Sequence, residues 1–291
     1  LSLEGLSLGD SLGAFFEMST MGRMINVIQQ RQLPNVEWHF TDDTNMALSV
    51  YEMLRRYGDI HQDELVKSFV IHFDRMRGYG PGVRSFVAHV SQGKAWRDIA
   101  NQLFQGGSFG NGGAMRIAPL GAYFADDIPK LITETTKATE TTHAHSEGIA
   151  GAIAVSVATA IAWQNRDNPL SRGDFIEQIL PYIPNGDVRL NCLLAQKLPS
   201  HEHIAIHEIV ARIGNGSRVT AQDSVPYVLY CVGEKPNHFE DAFWLTASGG
   251  GDVDTTCAMV GGIVAMTVGT DGLPSEWIKR REPLPDWALV G

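Results

Sequence analysis

The sequence predicts an all-α fold, a single compact helical domain spanning residues 1–291, and three observations carry that expectation. Apolar residues recur at helical spacing through most of the chain, alternating strand patterns bounded by tight turns are hard to find, and the periodic stretches stop at glycines. With 291 residues and 44% hydrophobic content, the chain can bury a sizeable core.

Element by element, Asp43 to Tyr57 sets Met46, Leu48, Val50, Met53 and Leu54 on a helical period and ends at Gly58. A second helix is expected from Asp63 to Met76. Further ones are expected over Ile128–Thr142, Ser146–Gln164, Arg172–Leu180, Val188–Lys197, Ile204–Ile213, Val225–Cys231 and Thr255–Val268. The interruptions are short and glycine-rich, at 78–82 (GYGPG), 106–113 (GGSFGNGG), 214–216 and 249–251, and none is long or polar enough for a linker.

A net charge of −10 argues against a partner held by phosphate neutralisation, so no nucleic-acid surface is expected. The apolar run Ile149 to Trp163 falls short of the roughly 20 residues that span a bilayer and is mixed with Ala, Ser and Thr, so no membrane partner is expected either. Three scattered cysteines, Cys192, Cys231 and Cys257, suit neither a disulfide framework nor a zinc cluster and point to a reducing, cytoplasmic setting. No signal peptide is read ahead of the apolar run, although a start at Leu1 rather than Met leaves a removed targeting segment open.

Two stretches share one chemical pattern. Thr41-Asp42-Asp43 precedes one helix, and Asp252-Val253-Asp254-Thr255 opens another after three glycines. A single Asp or Thr in such a place is an ordinary helix cap. Two carboxylates side by side exceed that need and repel each other unless one is protonated or a cation lies between them. If the clusters meet, they offer six oxygen ligands, enough for two magnesium or manganese ions, a device that activates a nucleophilic water. The glycine-dense 106–121 stretch can bring backbone amides close to phosphate oxygens, although it also reads as a turn between helices. It is neither a Walker loop nor a dinucleotide fingerprint. His143 and His145, two apart, do not share a helical face. Glu17, in GDSLGAFFE, reads either as a surface charge or as a general base.

In order along the chain, GDSLGAFFE, FTDDTNMAL, SFGNGGAMRIAPLG, the Thr142-His143 pair, GGGDVDTTCAMVGGIVA and LPSEW resemble the ADP-ribosylglycohydrolase family, of the dinitrogenase-reductase-activating glycohydrolase and ADP-ribosyl-acceptor hydrolase type. The resemblance covers nearly the whole chain. It implies an all-α enzyme holding two divalent ions, Mg or Mn, and cleaving the N- or O-glycosidic bond between ADP-ribose and an acceptor on a protein or small conjugate. By position it implies Thr41, Asp42, Asp43, Asp252, Asp254 and Thr255 as metal ligands, with Glu17, Asp43 and Asp252 carrying the catalysis. Gly107, Ser108, Phe109, Gly110 and Asn111 would wrap the diphosphate and distal ribose, and His143 would touch the same ligand. Val253 replaces the Thr or Ser that many relatives carry between the two aspartates, and no acid directly follows GYGPG. Two alternatives stand beside this reading: another dinuclear-metal hydrolase acting on a phosphate-containing substrate, and a catalytically silent relative that binds ADP-ribose.

Overall fold

A computed structural model describes residues 1–17, 26–104 and 106–289. Among these residues the chain forms helices and no strand, the nearest approach to a sheet being two isolated bridges, Trp38 with Arg281 and Gly110 with Thr220. The helices run in the order α1 Ser2–Glu17, α2 Asp42–Tyr57, α3 Gln62–Ile71, α4 Pro81–Ser91, α5 Trp96–Gln102, α6 Gly112–Met115, α7 Ala118–Tyr123, α8 Ile128–Glu140 and α9 Ser146–Gln164. They continue as α10 Arg172–Ile179, α11 Asp187–Lys197, α12 Ile206–Ile213, α13 Ala221–Glu234, α14 Phe239–Ser248, α15 Val253–Val268, α16 Ser275–Arg280 and α17 Asp286–Leu289.

Two apolar helices, α9 and α15, form the centre. Most residues of each are buried, because both are apolar on all sides and are surrounded by other helices. By length and composition α9 could cross a membrane, since its 19 residues extend beyond the apolar run read from the sequence, but 78% of its most apolar window is buried inside the protein. One continuous buried cluster includes Leu6 and Leu12 of α1, Leu48 of α2, Val157 of α9, Tyr227 of α13, Ile263 of α15 and Trp277 of α16.

Helix α1 forms over residues for which the sequence pattern predicts no helix, in a segment that carries three glycines. They serve close packing. Gly5, Gly9 and Gly13, spaced four apart, share one face, and a Cβ added to Gly5 or Gly9 would overlap the carbonyl oxygen of Gly261 or Cys257, while one on Gly13 would come within 2.7 Å of the Asp254 Cα. The two helices therefore run antiparallel with their main chains touching, and the end of α1 lies beside the start of α15.

Some boundaries differ from expectation for local reasons. The helix expected over Asp63–Met76 stops at Ile71: the Asn45 amide donates to His72 O at 2.8 Å, and Asp74 caps a separate turn by accepting from Met76 N at 2.9 Å. The helix expected at Val225–Cys231 extends from Ala221 to Glu234 with Pro226 inside it. The carbonyl that Pro226 leaves without its helical donor, Gln222 O, accepts instead from the Asn191 amide at 3.1 Å. The last part of the expected 106–113 loop closes into α6.

Candidate functional site

Three helix ends converge at one place: the C-terminus of α1 and the N-termini of α2 and α15. The start of α2 is held by a residue the sequence reading passed over. Asp10, fully buried in α1, accepts from Thr41 N at 3.0 Å, Thr41 Oγ1 at 2.7 Å, Thr44 N at 3.0 Å and Thr44 Oγ1 at 2.6 Å. It thus satisfies backbone N–H groups that a helix start leaves open. Burial nevertheless outweighs these bonds and pushes Asp10 up to about 6.

Thr41 is the N-cap of α2, and its hydroxyl proton is shared between Asp10 Oδ1 and Asp43 Oδ2, at 2.7 and 3.0 Å. From the other side, Thr255 Oγ1 reaches the same Asp43 Oδ2 at 3.3 Å. The two Thr/Asp clusters, 212 positions apart, therefore meet. Asp43 Oδ1 is buried without a hydrogen-bond partner, an arrangement costly for a polar atom unless something else binds it.

Carboxylate oxygens of Asp10, Asp43 and Asp254 lie within 4.8 Å of one another, as do those of Glu17, Asp252 and Asp254. The two sets share Asp254. Burial first, and then repulsion from neighbouring carboxylates, holds Asp42 and Asp43 well above the usual range, with Asp254 the largest charge acting on both. Asp254 is likewise raised by burial and by Glu17, and Asp252 is pushed up to about 8 by burial and Asp254. Asp42 lies outside both three-carboxylate sets but feels the same negative field. A hard divalent cation would remove this repulsion, so the donor set fits one, and two overlapping sets offer two positions.

Glu17 is exposed at the rim, with Oε2 3.4 Å from Asp254 N. On the opposite side, Asp252 Oδ2 accepts from the Asn111 amide at 2.5 Å, and the same amide nitrogen donates to Ser224 Oγ at 2.9 Å. Asn111 thereby ties the glycine loop to the acidic cluster. Gly106 and Gly107 take positive φ values, and a Cβ on Gly107 would approach His145 N to 2.6 Å, so the loop passes closer to its neighbour than a side chain permits. Within it, Ser108 Oγ accepts from Gly110 N at 3.2 Å, and Phe109, half-exposed, meets the edge of His145 at 5.4 Å. His143 is buried beneath the loop against Gly110 and Gly112, and burial, followed by the charge of Arg116, drives it down to about 3.

The 214–216 turn, noticed in the sequence only as a glycine-rich break, frames Asp252. Asn215 O accepts from Asp252 N at 3.3 Å, and a Cβ on Gly216 would come within 2.6 Å of the Asp252 Cβ. Like Asp10, this turn acts through residues distant in sequence, and the positive-φ glycines are the signal that could have found it.

A family model described as ADP-ribosylglycohydrolase matches residues 2–289. The human protein named ADP-ribosylhydrolase ARH3 is 28% identical, over 94% of this chain and 86% of its own length. An uncharacterised protein of Archaeoglobus fulgidus is 27% identical, over 98% of this chain and 92% of its own. A solved structure titled ADP-ribosylglycohydrolase-related protein complex superposes with a TM-score of 0.66 at 21% identity, covering 97% of this chain and 90% of that one, which shows a shared fold. The motif order, the helical architecture and these matches agree from one end of the described chain to the other: the protein belongs to the ADP-ribosylglycohydrolase family.

Proposed function

We propose that this protein is a divalent-metal-dependent hydrolase that cleaves the glycosidic bond joining ADP-ribose to an acceptor on a protein side chain or a small conjugate. The observation that carries this reading is the pair of carboxylate sets sharing Asp254 and linked through Asn111 to the glycine loop. Family membership and the names of the ARH3 relatives support the same substrate class.

In this reading Thr41, Asp42, Asp43, Asp252, Asp254 and Thr255, with Asp10 behind them, hold two magnesium or manganese ions. When bound, such ions polarise ligand oxygens and make water a better nucleophile near neutral pH. The protein's own groups do the rest. Asp10 fixes Thr41 and Thr44, so the ligands of α2 are positioned before any substrate arrives. In the Gly107–Asn111 loop the amides of Gly107, Gly110 and Asn111 donate to Leu103 O, Ser108 Oγ and Val219 O, so the Ser108 and Phe109 amides are the ones left to meet the diphosphate, with the neutral His143 at their side. Departure of the acceptor builds positive charge on the ribose carbon, which the remaining negative charge of Asp43 and Asp252 favours. Glu17, at the solvent rim, takes the proton from the attacking water and returns it to the leaving group.

The test is release of free ADP-ribose from arginine- and serine-ADP-ribosylated proteins, with and without magnesium or manganese, beside the Asp252→Asn variant. Metal-dependent release that the variant loses is the expected result and names the acceptor. Release unaffected by chelation would overturn the metal assignment. A protein that binds metal yet releases nothing from either substrate would overturn the acceptor class.

A further inference from the structure

Arg116 is fully buried behind the glycine loop, and among the described residues no carboxylate hydrogen-bonds it. Its guanidinium lies over the Phe69 ring, 4.8 Å from the centroid, and Nη2 donates to Ala138 O at 3.2 Å and to Thr142 Oγ1 at 2.7 Å. Burying an uncompensated cation is costly, so its persistence calls for a use.

Donor and acceptor counting supplies one. A guanidinium has only donors, so Thr142 Oγ1 must accept from Arg116. The hydroxyl then has one proton to give, and the acceptor in reach is His143 Nδ1, at 2.8 Å. A neutral imidazole that accepts at Nδ1 carries its proton on Nε2. Among the described residues that nitrogen makes no hydrogen bond, and it faces Gly110 and Gly112, where an added Cβ would come within 3.3 and 2.9 Å of it. The ring is thus an unpartnered donor, buried at its base and aimed into the loop.

We propose that Arg116, acting through Thr142, fixes His143 as the Nε2–H tautomer, so that the loop presents a hydrogen-bond donor to a phosphate or ribose oxygen. The opposite tautomer would turn a lone pair toward that oxygen and repel it. Arg116 and Thr142 are positioning residues; His143 alone touches the ligand. The identity of the ligand rests on the ADP-ribose reading, whereas the relay does not.

The test is nitrogen NMR of histidine-labelled, magnesium-loaded protein, with the His143 signal assigned by its loss in His143→Asn. The wild type is expected to show one neutral tautomer protonated at Nε2. Thr142→Val, which keeps the shape and removes the hydroxyl, is expected to give a mixture or the Nδ1–H form and to weaken ADP-ribose binding about tenfold. Thr142→Ser is expected to restore both. A wild-type ring protonated at Nδ1, or an unchanged tautomer in Thr142→Val, would overturn the relay. Because the tautomer is read without ligand, failure of the wild type to bind ADP-ribose would count against the substrate assignment alone.

Discussion

Two buried acidic regions of this molecule have been built in opposite ways. At the α10–α13 contact, Glu234 accepts from Arg172 Nη1 at 2.7 Å, Ser200 Oγ at 2.6 Å and His201 N at 3.2 Å, and it pairs with His201 Nδ1 at 2.5 Å. Burial pushes that carboxyl up, but the Ser200 hydroxyl, His201 and Arg172 outweigh it and hold it below its usual range. At the α1–α2–α15 junction, five aspartates lie together with no cationic side chain in contact among the described residues, and every one is raised. An acid that the fold needs comes with its counter-charge. The acids that lack one are groups that could hold a metal ion.

That contrast can be broken experimentally, beginning with the largest expected effect. Asp252→Asn and Asp43→Asn should each lower metal-dependent turnover by more than about a hundredfold. The same substitutions should leave the chelated protein at least as stable as the wild type, because each removes a repelled charge. Thermal unfolding in chelator checks this, and a clear loss of stability would return these residues to an ordinary capping role. Glu17→Gln should reduce turnover by about a hundredfold while ADP-ribose affinity, read by calorimetry, changes little. Equal losses would recast Glu17 as a binding residue.

Glu234→Gln reverses the pattern. Turnover should persist while stability drops by roughly 1–3 kcal/mol, since the partly buried Arg172 loses its counter-charge. Urea unfolding measures it.

The smallest effect concerns pH and separates the regions by sign. Raised carboxyls mean that the native state holds protons which the unfolded chain releases near pH 4. The chelated protein should therefore lose stability as pH rises from about 5, through the Asp10 value of about 6, to the Asp252 value of about 8. Magnesium should flatten that slope by replacing the protons. Glu234, whose carboxyl is depressed, stabilises the fold above its unfolded value near 4.3 and loses that contribution as pH falls through its lower folded value. A chelated protein more stable at pH 8 than at pH 5.5 would contradict the repulsion.

What was legible in the sequence follows from how far each interaction reaches. The Thr41–Asp43 and Asp252–Thr255 clusters could be read because capping chemistry is local, whereas their meeting is a long-range contact that spacing leaves open and the Thr255–Asp43 approach reveals. Asp10 could not, since its partners are 31 and 34 residues away and its neighbours in sequence are apolar or small. Glycines misled in one place and helped in another: the 106–113 run does form a tight loop, but Gly5, Gly9 and Gly13 are helical and speak of a neighbour rather than of freedom. Arg116 stood in plain view inside a motif, and its significance lies in Thr142, beyond both α7 and α8.

The glycine seam between α1 and α15 has a further consequence for the cleft. Where two helices meet through side chains, a lost methyl group can be absorbed by neighbours changing rotamer, and the axes drift. Here main chain rests on main chain, so no soft layer exists to compress or relax. The spacing between the Glu17 end of α1 and the Asp254 end of α15 is set by close approach at Gly5, Gly9 and Gly13. Adapting this site to an ion of another size would therefore have to proceed by exchanging ligands at its rim, because the frame that holds them apart has nowhere to give.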